Sequence, residues 1–144
     1  GEPLRAALEE GVYLVKPSLR EMSELAGGPL DSLAQQRDAA SALVTRGSAE
    51  VVALSLGAQG ALFASADVGL LANAPQVPVV STVGAGDSFL AGLVAALSRQ
   101  SEPAEAFRTA VAAGAAALLA PGTALCQPQD IERLRVQVTV RSLT

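Results

Sequence analysis

Short apolar, β-branched runs alternate with helical stretches along most of these 144 residues, and no other feature constrains the fold as tightly. Gly11-Val12-Tyr13-Leu14-Val15-Lys16-Pro17 reads as a strand running into a loop. Val51–Leu56 and Ala61–Ser65 read as strands joined by the turn Gly57-Ala58-Gln59-Gly60. Leu70–Ala74 and Val77–Ser81 read as two more, broken by Pro75 and Pro78. Helices are expected over Gly1–Glu10 and from Ser18 through Leu25, the second stopped by Gly27-Gly28-Pro29. Another is capped by Asp31 and runs to Arg46, where Gly47 ends it. Further helices run from about Asp87 to Arg99, from Pro103 to near Pro121-Gly122, and over Pro128–Arg135. Val136, Val138 and Val140 alternate as an edge strand. This order predicts an α/β fold with a mostly parallel sheet covered on both faces. No repeat or linker interrupts it, so residues 1–144 read as one domain. The chain opens in mid-pattern without Met, and an N-terminal half is expected to be absent from it.

Composition narrows the chemistry. Half the residues are hydrophobic and 3% are aromatic, so the core must be built from Ala, Val and Leu. A formal charge of −4 argues against nucleic acid, whose phosphates need clustered Lys and Arg. The chain has no His, which excludes Ser-His and Cys-His catalysis and His-ligated metals. The lone Cys126 can form neither an internal disulfide nor a thiolate metal site, and it fits a reducing cytosol as a small buried residue. The apolar stretch Val111–Ala120 is too short to span a membrane and reads as a buried helix. A soluble cytoplasmic domain follows.

The most informative stretch is Ser81-Thr82-Val83-Gly84-Ala85-Gly86-Asp87-Ser88-Phe89, a strand end, a glycine turn and a helix start. Glycines let backbone N–H groups converge, and a helix N-terminus adds a positive dipole. Such a nest stabilises charge developing on a transferring phosphoryl group. Gly86 is expected to forbid a side chain through close approach and positive φ. Asp87 faces the same anion, which is costly unless it accepts the proton of an attacking hydroxyl. The plain alternative is that Asp87 caps a helix and the glycines make a tight turn. Earlier, Ser18 and Glu21 have the spacing of a capping box, which needs no ligand. Likewise a hairpin turn explains Gly57 and Gly60 by itself.

Taken whole, the string around Asp87 resembles the C-terminal signature of the ribokinase/PfkB sugar kinases, usually written Asp-Thr-x-Gly-Ala-Gly-Asp-x-Phe. Ser81 departs from it, standing where most members carry Asp, as in some ribokinase-like 6-phosphofructokinases. The resemblance runs from about Lys16 to Cys126 and implies the C-terminal portion of a ribokinase-like three-layer α/β/α sandwich. It implies Asp87 as catalytic base, with Gly84, Ala85 and Gly86 forming the anion nest. Glu21 matches the Glu of the family's Asn-x-x-Glu motif, which orders water around magnesium; Ser18 replaces the Asn. Lys16 matches a phosphate-proximal lysine. Ser55, Gly57, Ala58 and Gly60 match a Gly-x-x-Gly loop near the ATP ribose and phosphates, and Thr82 joins the nucleotide set. Val111 and Ala115 fall on a helix that walls the adenine pocket. A monovalent-cation site, K+ in this reading, is implied at Ser81, Val83, Ala117, Ala120, Gly122 and Ala124.

The activity implied is ATP- and Mg2+-dependent phosphorylation of a sugar phosphate, foremost fructose 6-phosphate at its 1-hydroxyl, by an enzyme expected to form homodimers. The alternatives are a 1-phosphofructokinase, a tagatose-6-phosphate kinase, or a nucleotide-binding fragment without turnover. The sugar site and lid come largely from the family's N-terminal half. These residues alone are therefore expected to show little or no kinase activity.

Overall fold

The computed structural model describes residues 2–56, 59–120 and 127–143. Gly57, Ala58, Gly122, Ala124 and Cys126 lie outside them. The described elements are α1 (Glu2–Glu10), β1 (Val12–Val15), α2 (Leu19–Ala26), α3 (Leu33–Thr45), β2 (Ala49–Ser55), β3 (Ala61–Ser65), β4 (Gly69–Ala72), α4 (Ala85–Ser98), α5 (Pro103–Leu119), α6 (Pro128–Arg135) and β5 (Val140–Ser142). The strands form one sheet in the order β1-β2-β3-β4-β5. The chain divides into two compact units, residues 1–57, 61–71 and 142–144, and residues 58–60 and 72–141.

In the first unit β1 and β2 are parallel, with Val12 opposite Ala49 and Leu14 opposite Val51. Successive residues Val51, Val52, Ala53 and Leu54 are all buried, so both faces of β2 are covered. α3 packs on β2 and β3 through Ala40 and Leu43, in a core shared with Leu8, Met22, Val52, Leu54 and Leu62. Burial of each leucine of this set contributes roughly 2 kcal/mol before entropy is counted. Gln36 is buried on the same helix, and its amide donates to the Leu30 carbonyl at 3.1 Å. β1 is one of the two edge strands, and its Tyr13 is 56% exposed.

β2 and β3 are antiparallel, with Ser55 opposite Ala61, as the hairpin reading expects, because the residues between them are too few for a parallel crossover. Three expectations are corrected. Ser32, not Asp31, caps α3, because Ser32 and Gln35 close a capping box that Asp31 cannot make. Residues 77–81 form no strand; Pro75 and Pro78 lack the amides a ladder needs, and Val79 and Val80 are exposed. Of the alternating valines only Val140 is in a strand, since Val136 is the helical C-cap of α6 and is 82% exposed.

The second unit is built on the pairing of α4 with α5. Alanine makes this close approach possible: Ala106, Ala110, Ala112, Ala113, Ala116 and Ala117 are all buried on α5. A Cβ at Gly92 of α4 would lie 3.1 Å from the Ala113 Cβ. Phe89 and Phe107 meet edge to face, with ring centroids 6.3 Å apart at 82°. Polar contacts fix the segment beyond α5. Arg135 of α6 donates to Glu105 at 2.9 Å and to Thr109 at 3.3 Å. The Asn73 side chain accepts the Thr139 amide at 2.5 Å and donates to the Gln137 carbonyl at 3.5 Å.

Candidate active site

The first group of candidate residues lies at the carboxyl ends of the parallel strands β1 and β2, where open α/β sheets offer a crevice for ligands. Lys16 is half-buried just past β1, Pro17 is buried, and Ser18 makes an isolated parallel bridge to Ser55 at the end of β2. Thus Lys16, Ser18, Glu21 and Ser55 are brought to one end of the first unit. The capping box is fully formed. The Ser18 amide donates to Glu21 Oε1 at 3.0 Å, and the Glu21 amide donates to Ser18 Oγ at 3.1 Å.

The bond from the Ser18 backbone holds the Glu21 carboxyl below its ordinary value, against partial burial that raises it. The Ser18 hydroxyl and the Lys16 charge add to the lowering. A lowered folded pKa means this stabilisation is fully present above the unfolded value. It is lost as pH falls through the folded one.

The neighbouring helix supplies a control for Glu21. α3 is closed by Ser32 with Gln35 in the equivalent position. A glutamine therefore makes the same cap. Glu21→Gln is expected to keep the cap, losing only the charge-dependent part of its stabilisation, while weakening magnesium-dependent turnover of the full-length enzyme. Glu21→Ala should additionally lose about 1 kcal/mol of stability. Thermal melts and magnesium titrations of both variants check this. Unchanged magnesium dependence in both would leave Glu21 a cap and nothing more.

The second group surrounds the N-terminus of α4. Gly84 is the N-cap and lies in the left-handed region at φ 82°, with no side-chain cap bond. The helix thus begins at Ala85, two residues earlier than expected, because Gly84 can turn where a side chain is strained. Positive φ belongs to Gly84; Gly86 is helical and does not have it. The first regular helical bond joins the Ser88 amide to the Gly84 carbonyl at 2.9 Å. The amides of Ala85, Gly86 and Asp87 therefore point out of the helix end without intrahelical partners. Asp87 is exposed in this first turn and makes no capping bond to Gly84. The helix-cap alternative for Asp87 is not realised.

Thr82 and Val83 are exposed just ahead of the cap. Val111, Ala115 and Ala117 are buried on α5, and Ala120 is its extended C-cap. Gly57, Ala58, Gly122 and Ala124 fall outside the described residues. Gly60 is buried, and a Cβ there would lie 1.9 Å from the Ala72 carbonyl oxygen, so packing alone requires glycine. Gly114 lies in the stretch Val111–Ala115, which reads from its small residues as a closely packed core helix. A Cβ at Gly114 would sit 3.4 Å from the Ala85 carbonyl and 3.5 Å from the Phe89 Cβ, so α5 closes directly on the first turn of α4. The only sequence signal was a glycine inside an alanine-rich helix, a usual mark of close packing. Among the described residues no three His, Cys, Asp or Glu side chains cluster to hold a metal, and no helix is long and apolar enough to cross a membrane.

ATP-dependent 6-phosphofructokinase isozyme 2 of Mycobacterium tuberculosis is 44% identical over 126 residues, 88% of this chain and 37% of the relative. 1-Phosphofructokinase of Escherichia coli is 43% identical over 117 residues, 81% of this chain and 37% of the relative. The crystal structure of phosphofructokinase-2 from Escherichia coli in complex with substrates and products superposes with a TM-score of 0.90 at 39% identity, covering 94% of this chain and 44% of that one. The chain therefore spans less than half the length of these relatives. The expected ribokinase-like α/β fold is found. The model of the pfkB family carbohydrate kinases matches residues 2–130, and with the glycine-capped first turn of α4 in place, the chain belongs to that family.

Proposed function

We propose that this chain is the nucleotide-binding and catalytic-base part of an ATP-dependent kinase that phosphorylates a fructose phosphate, with fructose 6-phosphate and its 1-hydroxyl as the foremost acceptor. The observation that carries the reading is Asp87, exposed in the first turn of α4 behind a left-handed glycine and free of any capping task. Its carboxylate accepts the proton as the acceptor oxygen attacks the terminal phosphorus of ATP and ADP leaves. The outward amides of Ala85, Gly86 and Asp87 stabilise the charge on the transferring phosphoryl group.

Lys16, Ser18, Ser55, Gly57, Ala58, Gly60, Thr82, Val111 and Ala115 form the nucleotide set in this reading. Glu21 fits a water-mediated magnesium role: one carboxylate oxygen is taken by the cap, and it stays ionised. Magnesium, when bound, neutralises phosphate charge. Ser81, Val83, Ala117, Ala120, Gly122 and Ala124 are the residues proposed to hold K+, with the loop at residues 121–124 contributing backbone carbonyls. A cytoplasmic, homodimeric full-length enzyme completes the proposal.

A 1-phosphofructokinase is the second reading, because relatives of both names match at nearly equal identity, 44% and 43%. A tagatose-6-phosphate kinase belongs to the same chemistry. Release of ADP from ATP by the full-length enzyme, measured with each sugar phosphate in turn, separates the three. Fructose 6-phosphate is expected to give the highest kcat/KM, with fructose 1,6-bisphosphate as product. Nucleotide binding by calorimetry with no ADP release from any acceptor would instead favour a non-catalytic module.

A further inference from the structure

The segment entering α4 is held by hydrogen bonds outside any strand. The amides of Val80 and Ser81 both donate to the Leu118 carbonyl in the last turn of α5, at 2.7 and 3.2 Å. The Ser81 hydroxyl oxygen accepts the Val83 amide at 3.1 Å, and Gly84 comes next as the left-handed N-cap. Ser81 is therefore tied at both ends of one turn, to α5 through its own amide and to Val83 through its side chain.

We infer that Ser81 is a positioning residue for phosphoryl transfer, fixing the Val83–Gly84 turn that aims the first-turn amides of α4 and the Asp87 carboxylate. The inference rests on the proposed role of Asp87. Two observations support it. Val83 is 56% exposed, so little packing restrains this turn and the Ser81 hydroxyl is its local tether. Gly84 has no Cβ and its backbone has many alternatives, which a bonded Val83 amide reduces. An exposed turn bond matters little to global stability, but a shift of about 1 Å at a reacting centre costs on the order of a hundredfold in rate. The effect of losing this bond is thus expected in turnover rather than in folding.

The test uses the full-length enzyme and a nearly isosteric pair. Ser81→Val removes the acceptor; Ser81→Thr keeps it with the same β-branching. Ser81→Val should lower kcat roughly ten- to a hundredfold, with the KM for ATP and the melting temperature nearly unchanged. It should also lose hydrogen-exchange protection at the Val83 amide, and Ser81→Thr should restore both readouts. Native kcat in Ser81→Val, parallel loss of kcat and melting temperature without rescue by Thr, or recovery of Ser81→Val in excess K+ would each overturn the inference. Asp87→Asn in the same assay separates the levels. If it retains native turnover, the proposed site falls and the role of Ser81 with it. If it loses turnover while Ser81→Val does not, only the positioning role falls.

Discussion

In the full-length enzyme Asp87→Asn is expected to lower kcat by about two to four orders of magnitude while nucleotide affinity stays near its native value. The substitution keeps the shape of the side chain and removes the proton acceptor. In free energy the loss is about 3–5 kcal/mol of barrier, far more than other roles available to this residue can supply. A carboxylate in the first turn of a helix interacts with the dipole by about 0.3–1 kcal/mol, and only in stability. A capping role is not realised, because Gly84 receives no side-chain bond. Stopped-flow turnover, calorimetric nucleotide binding and a thermal melt on one preparation distinguish the cases. A slightly less stable protein with native kcat would reduce Asp87 to a dipole partner.

Gly60→Ala is expected to be the most damaging substitution for folding. Gly60 is buried at φ 105°, and an added Cβ would lie 1.9 Å from the Ala72 carbonyl oxygen and 2.9 Å from its carbon. Those atoms are backbone and cannot rotate away, so the chain at Ala72 must move. Conformational strain at positive φ adds to the overlap. Together they should cost roughly 3–5 kcal/mol, at the diagnostic end of single substitutions. Gly27 is the comparison: its φ is 83°, yet a Cβ there meets nothing within 4 Å. Gly27→Ala should therefore cost only about 1 kcal/mol, the conformational part alone. Urea midpoints of the two variants measure the difference. A Gly60→Ala protein with a native midpoint would contradict the close approach.

What could be read from the residues was local. Asp87 falls in the first turn of α4 because Gly84-Ala85-Gly86 precedes an apolar helical run, and that pattern is complete within a few positions. Ser18 and Glu21 close their box for the same reason, as do the proline starts of α5 and α6. Legibility failed where a distant partner decides. The convergence of the Val80 and Ser81 amides on Leu118 links residues far apart in sequence, and β-propensity at residues 77–81 carries no trace of it. The small residues around Gly114 signal close packing, but that Gly92 and Gly114 serve the same α4–α5 approach emerges only when the two helices are brought together. The antiparallel pairing of β2 with β3 was legible from the short glycine-bearing connection between them.

The placement of the few aromatic rings decides how unfolding can be watched. The chain has one tyrosine and no tryptophan. Tyr13 lies in the first compact unit, on an edge strand and well exposed, whereas the Phe89–Phe107 pair lies in the second. Tyrosine emission therefore samples one strand of the first unit and is blind to the α4–α5 pair. Ellipticity in the far ultraviolet is weighted instead toward helices, and α4 and α5 are the two longest described. The two signals report different parts of the chain, so coincidence of their midpoints measures whether both units melt as one cooperative body.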